Sequence, residues 1–346
     1  MFSWHLSKAQ IVPSVKVFAS NNKGISFKYA PDTAFSANTD DRENSKPSAE
    51  PSSLNIKNAR ERRRLLTYLE KLNVPDNVSN YDSHQKFYYH LAGLFAHLKL
   101  YPLAMKCFLK TEVNADTPQP VADTVQVSPK DLAISSQDDS LIIKQAIFQE
   151  KDAREIKSKR INDARIDSVF NDGKPSKAYA MLFHVKQPVR GKRKIFKWAN
   201  TGHTFITLIK YNADSTYVSA SFGFYPLKDQ FLSATPLVPT TSAIFKDDSG
   251  HKWDEVLGKF ISRRKFYRIL ALTKDYSAMK YNLSNNNCTD FGIKAASIAG
   301  IKLMETSGKW PLGSGNNPGV TGQSILQGKY LNTDSTEFKA LFVDTE

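Results

Sequence analysis

The spacing of apolar and polar positions divides the chain into stretches of different character. Residues 1–53 carry little hydrophobic pattern, and Ala30–Ser53 is rich in Ser, Asn, Asp, Pro and Ala. Such a stretch buries too little apolar surface to offset the entropy of ordering, so a weakly ordered N-terminal segment is expected, with a short strand or two over Lys16–Tyr29. From 54 to 111 the period becomes helical. Ala59, Leu65, Leu66, Leu69 and Leu72 mark one helix, ended by Val74-Pro75. Asp82-Ser83 caps a second, with Phe87, Leu91, Leu94, Phe95 and Leu98 on one face; Tyr101-Pro102 opens a third carrying Ala104, Cys107 and Phe108. Residues 112–140 read as a linker, and 141–170 as one charged helix with a solvated face.

Residues 171–346 form the fifth region. Ala178–Val185 is a continuous apolar run, a buried strand stopped by Pro188 and turned at Gly191. Gly202–Tyr211 alternates, placing His203, Phe205, Thr207 and Ile209 on one face of a half-buried strand. Asn212-Ala213-Asp214 makes a hairpin turn, and Thr216–Tyr225 returns. Trp253–Ser262 reads as a helix, Phe266–Thr273 as a strand and Asp275–Lys280 as a second short helix. Beyond Gly300 the composition predicts loops.

Composition narrows the classes. The 346 residues are 40% hydrophobic, enough for a core over part of the chain, and no apolar run approaches membrane-spanning length. Met1–Ser20 lacks the continuous apolar stretch of a secretory signal, which predicts a cytoplasmic chain; export as an effector is the alternative. Cys107 and Cys288 are the only cysteines, and the seven histidines show no metal-ligand spacing. Two free thiols, no metal and no cofactor are expected. The net charge of +14 favours acidic partners without choosing among them.

The candidate chemistry lies at Asn285-Asn286-Asn287-Cys288-Thr289-Asp290-Phe291. Asparagines favour a turn and an N-cap, and the small apolar residues that follow, Phe291, Ala295, Ile298 and Ala299, predict a helix closed by Gly300. Cys288 then opens the helix, where free N–H groups and the dipole favour the thiolate. The alternative is a small buried hydrophobe, the reading that also suits Cys107 inside its helix. A nucleophilic thiol needs a base, and His203 is the candidate: it opens a strand after a glycine, whereas His184 is mid-strand and His251 lies in a polar loop.

A strand beginning Gly202-His203-Thr204, a return strand, and a later Asn286-Asn287-Cys288-Thr289-Asp290-Phe291 helix start resemble the circularly permuted branch of NlpC-type papain-like thiol hydrolases and transferases. This branch includes PPPDE-type and lecithin:retinol acyltransferase-like proteins, in which histidine precedes cysteine. Gly308-Lys309-Trp310-Pro311 and Asn317-Pro318-Gly319 are similar to bacterial members, and the resemblance spans about 178–328.

The resemblance implies an α+β papain-like domain over 171–346: a helix carrying Cys288 packed on an antiparallel sheet carrying His203. A helical hairpin region (54–111) and the weakly ordered N-terminus precede it. It implies a cysteine peptidase or amidase, with Cys288 as nucleophile and His203 as base. The Cys288 N–H, with Asn287 or Tyr281, would stabilise the oxyanion. Where relatives carry His, Asn or Asp on the return strand to orient the base, this strand offers Thr216, Tyr217, Ser219 and Ser221, with Ser219 or Tyr217 as the candidates; otherwise the pair acts as a dyad, or the site is degraded. Asp290 reads as a helix cap. The expected reaction is amide hydrolysis, with peptidoglycan peptides as a candidate substrate. The alternatives are a lipid acyltransferase or esterase of the same fold, and a binding module with an inert papain-like domain. Basic loops at 186–197 and 259–268 are candidate contacts for an acidic or polymeric substrate, and the 54–111 helices for a protein partner. No specific nucleic-acid motif accompanies the charge.

Overall fold

Eight consecutive buried residues, Ala178–Val185, run through the middle of the molecule, and both faces of their strand are covered. The computed structural model describes residues 81–112, 138, 158–197, 200–227, 232–334 and 340–345, without the side chains of 81–84, 87 and 112. The readings of 1–80, of nearly all of the 112–140 linker and of 141–157 lie outside the described residues.

The core element is a seven-stranded antiparallel sheet. Its strands are β1 (Lys159–Ile161), β2 (Ser176–Lys186), β3 (His203–Asn212), β4 (Tyr217–Pro226), β6 (Ala243–Asp247), β7 (Glu255–Ile261) and β13 (Phe342–Thr345). They lie in the order β1-β6-β4-β3-β2-β7-β13. Helices α1 (Tyr81–His97) and α2 (Tyr101–Glu112) cover one face, packing Leu91, Phe95, Met105 and Phe108 with Ala180, Leu182, Phe205 and Ile209. The other face carries α3 (Asp163–Phe170), α4 (Arg263–Ser277) and α5 (Cys288–Ala299), with Phe266, Ile269, Phe291 and Ala295 against Met181, Phe183, Ile206 and Leu208. The molecule is thus a mixed α and β protein with six helices among the described residues and one large antiparallel sheet.

Two helix layers explain why the alternation of β3 is misleading. A strand exposed on one face should show polar residues outward, but all ten residues of β3 are buried, including Thr204, Thr207 and Lys210. The ammonium of Lys210 is satisfied by Asp172 at 2.5 Å and by the Phe170 carbonyl at 3.1 Å.

Three sequence expectations are corrected. The stretch Trp253–Ser262 holds β7 (Glu255–Ile261), not a helix: Trp253, Val256, Leu257 and Phe260 have helical spacing, but they divide between the two faces of the doubly covered sheet. Phe266–Thr273 and the start of 275–280 belong to α4, not to a strand and a separate helix. Ser262 caps α4 by accepting the Lys265 amide, and Phe266, Ile269, Leu270 and Thr273 form its buried stripe. The described end of the 141–170 helix is β1 followed by α3. Ile161 pairs with Phe245, and Asn162 starts α3 by accepting the Arg165 amide at 2.8 Å.

The segment after Gly300, expected to be loop, is structured. It holds β9 (Ile301–Leu303) paired with β12 (Tyr330–Asn332), the hairpin of β10 (Ser307–Trp310) and β11 (Gly313–Asn316), and α6 (Pro318–Leu326) capped by Asn317. The small strands β5 (Thr240–Thr241) and β8 (Tyr281–Asn282) pair beside the asparagine turn. No helix among the described residues is long and apolar enough to cross a membrane.

Candidate active site

Asn287 starts α5 and is fully committed to that task. Its side-chain oxygen accepts the amides of Thr289 at 2.8 Å and Asp290 at 3.1 Å, and its NH₂ donates to the carbonyls of Leu283 and Asn316, both at 2.9 Å. Asp290 completes the capping box by accepting the Asn287 amide at 2.9 Å. Asn287 therefore has no donor left for an oxyanion, which removes one of the sequence candidates for that role. Burial raises the Asp290 carboxyl, with hydrogen bonds from Asn287 and Asn316 working against the rise.

With the cap set, Cys288 is the first residue of α5, and the residue is 7% exposed. Burial alone would raise the thiol. A hydrogen bond and the charge of the His203 ring, the Thr204 amide and the Thr289 hydroxyl outweigh it and hold the thiol below its ordinary value.

His203 opens β3, and Gly202 makes its placement possible. Gly202 has φ +75°, and a Cβ there would stand 2.4 Å from the Lys186 carbonyl oxygen. By register His203 shares the face of Phe205, with ring centroids 6.0 Å apart, while α5 packs on the opposite face and its N-terminus reaches the end of the strand. Thr204 points toward α5, its hydroxyl 3.2 Å from that of Thr289.

The His203 Nε2 is 3.0 Å from Asp248 Oδ2, which leaves Nδ1 as the ring nitrogen available to the thiol. Asp248 is wholly buried, and its other oxygen accepts from Tyr225 at 2.6 Å and Ser158 at 2.7 Å. Burial would push the imidazole down, but the Asp248 carboxylate, by charge and hydrogen bond, and the thiol push it up to about 9. Burial would likewise raise Asp248, and His203, His251 and Tyr225 hold it low. The three groups form a chain in which the carboxylate supports an imidazolium and the imidazolium a thiolate.

Asp248 is the residue that sequence reasoning missed. Asp247-Asp248-Ser249-Gly250 reads as an ordinary polar turn. Only the pairing of β6 with β4 carries it to the site: Asp247 lies opposite Phe222, and the Asp248 amide donates to the Ser221 carbonyl at 2.9 Å. Gly223 makes room, because a Cβ there would lie 2.5 Å from both Asp248 Oδ2 and His203 Nε2. A glycine in the middle of an aromatic-rich strand was the available signal.

The expected orienting residues Tyr217 and Ser219 are at the wrong end of β4. Tyr217 pairs with Tyr211 and Ser219 with Ile209, whereas the register carries Tyr225 across from His203, with ring centroids 4.2 Å apart. Six residues of strand, about 20 Å, separate Ser219 from that position. Tyr281 is placed differently: it is buried, stacks on Phe224 at 5.6 Å, and lies close enough to Cys288 for the thiol to act on its hydroxyl. Burial first, then the charge of Cys288, hold the phenol far above its ordinary value, so it stays a neutral donor.

The other histidines divide. His251 lies beside the site, its ring 5.1 Å from that of His203. His184 is buried within the sheet, pushed down to about 3 by burial, with Nε2 2.9 Å from Thr207. It is a neutral core residue. Among the described residues no group of three or more His, Cys, Asp or Glu is placed to hold a metal.

Of the two basic stretches, only the first is a loop. Arg190, Lys192, Arg193, Lys194 and Lys197 are exposed, while Lys186 pairs with Asp254. The second stretch spans the end of β7 and the start of α4. Lys259 is buried against Asp334 and Asn332, and Lys265 pairs with Asp334 at 2.5 Å, so both are structural. Arg263, Arg264 and Arg268 remain exposed on α4. No family model, curated protein or solved structure matches this chain.

Proposed function

We propose that the protein is a cysteine hydrolase of amide bonds, of the permuted papain-like type, with Cys288 as nucleophile, His203 as acid and base, and Asp248 orienting His203. The observation that carries the reading is the Cys288–His203–Asp248 chain, in which a helix-terminal thiol is lowered and its imidazole partner raised by a buried carboxylate. The order His203 before Cys288 agrees with the permuted branch.

In this mechanism the Cys288 thiolate attacks the carbonyl carbon and a C–S bond forms as the carbonyl electrons move to oxygen. The Cys288 amide and the Tyr281 hydroxyl stabilise that oxygen. Collapse breaks the C–N bond, and the His203 imidazolium gives its proton to the departing amine. Neutral His203 then takes a proton from water, the hydroxide adds to the thioester, the C–S bond breaks, and the acid and thiolate are released. Asp248 holds the ring through Nε2 and stabilises its protonated form without itself taking the proton.

Peptidoglycan peptides are the proposed substrate class, and the exposed bases of 190–197 suit an acidic polymer. Digestion of purified peptidoglycan by the wild type, with new amine termini that are absent with Cys288→Ala, is the expected result; identical products from both proteins sink this function.

A further inference from the structure

Four segments that touch one another surround the N-terminus of α5. Loop 186–203 meets the start of α6, where the Asn317 side chain donates to the Ile195 carbonyl at 3.0 Å. The β10–β11 hairpin packs on the asparagine turn: Asn287 donates to the Asn316 carbonyl at 2.9 Å, and a Cβ at Gly315 would lie 2.1 Å from the Ser284 oxygen. On its other side the turn is tied to loop 232–239 by the Leu283 amide donating to the Pro239 carbonyl at 2.9 Å.

Two properties coincide on these segments. Residues 186–203, 232–246, 276–289 and 306–332 contain ten Lys or Arg and no Asp or Glu, in a chain where 34 of 346 residues are acidic. The carboxylates that border these segments are Asp247, Asp275 and Glu305, which are exposed, Glu305 pairing with Lys329, and Asp290, which is buried and hydrogen-bonded. The same segments carry Leu312 (76% exposed), Leu237 (69%) and Phe196 (53%), the three most exposed large hydrophobic side chains among the described residues. Each stands on a loop or turn, outside the helices and the large sheet.

We infer that this rim docks the protein on an anionic lipid surface, with Leu312, Leu237 and Phe196 entering the interface and Arg190, Lys192, Arg193, Lys194, Lys197 and Lys309 facing the headgroups. A soluble polyanion would use the charges and leave the apolar tips in water, where they are unfavourable. A bilayer uses both, since anionic headgroups attract bases while the boundary beneath them accepts apolar side chains. Each base near such a surface adds roughly fivefold to binding, and every carboxylate would subtract from it.

The test is co-sedimentation of the full chain with phosphatidylcholine–phosphatidylglycerol vesicles and with pure phosphatidylcholine vesicles. The proposal expects binding to the anionic vesicles alone, weakened by salt, and reduced at least tenfold both in Leu237→Ser/Leu312→Ser and in Lys192→Gln/Arg193→Gln/Lys194→Gln. The leucine variant should keep the wild-type affinity for soluble polyphosphate, which also verifies its fold. Absence of vesicle binding by the wild type, or equal vesicle binding by the leucine variant, overturns the proposal. Cys288→Ala should bind vesicles like the wild type, so the result does not depend on the hydrolase reading.

Discussion

The two cysteines sit on opposite sides of one sheet and are both buried, yet their chemistry is opposed. Cys107 lies inside α2, its backbone amide and its neighbours engaged in the helix, and burial pushes its thiol up to about 12 despite nearby Lys110 and Lys106. Cys288 begins α5 and is held below the ordinary thiol value by His203, the Thr204 amide and the Thr289 hydroxyl. The difference teaches that burial alone does not decide reactivity. It depends on which donors are buried with the sulfur: two ammonium groups acting at a distance do not offset desolvation around Cys107, whereas directed hydrogen bonds and an imidazolium do so around Cys288.

The strongest way to break the comparison is to remove the sulfur on each side. Cys288→Ala should lower amide hydrolysis by about 10⁴-fold or more, while Cys107→Ala leaves it unchanged; a tie in assayed turnover would refute the assignment. Asp248→Asn should reduce kcat by about 10²- to 10⁴-fold. Its signature is in pH. The ion pair forms as pH rises past the lowered Cys288 value, and activity is lost as pH passes the raised His203 value, about 9. Without the carboxylate the basic limb should move to lower pH, and a profile that keeps its basic limb in place argues against the role given to Asp248.

Gly223→Ala sharpens the same point without replacing any reacting group. Its new Cβ would meet His203 Nε2 and Asp248 Oδ2, so kcat should fall by roughly 10- to 10²-fold with KM little changed, as expected of misplaced groups. Labelling with a thiol probe at neutral pH should modify Cys288 well before Cys107, read by peptide mass; equal rates would erase the contrast. The smallest effect is expected at the cap. Asn287→Ala should cost ~1–3 kcal/mol in urea unfolding, since two amides of α5 and the carbonyls of Leu283 and Asn316 lose their partner.

Much of the candidate site was legible where chemistry and local structure coincide in a few consecutive residues. Asn287-Cys288-Thr289-Asp290 carries its own capping logic, and the helix it starts closes at Gly300 in the left-handed conformation, φ +88°. Gly202-His203 announced a strand start for a similar reason. Of the two misread elements, 253–262 failed because a strand covered on both faces loses its period of two, and helical spacing then arises by chance in an apolar run, whereas 266–273 was read apart from the Ser262 cap and the basic first turn that make it part of α4. The aspartate at 248 was illegible because its role depends on the register between β4 and β6, strands separated in sequence by a loop of low pattern.

By itself, the sequence determined the local events: where α5 begins, that a thiol opens it, that β2, β3 and β4 are strands with a hairpin turn between the last two, and that loop 186–197 is basic. These follow from capping, periodicity and composition, which act within a few residues. Tertiary structure decided which of several polar residues stands behind His203, that Asn287 is spent on capping, and that Lys259 and Lys265 are pinned to Asp334 rather than offered to a partner. The physical reason is common to all three: a hydrogen bond or ion pair is directional and short, so its partner is chosen by strand register and packing, which no local pattern records.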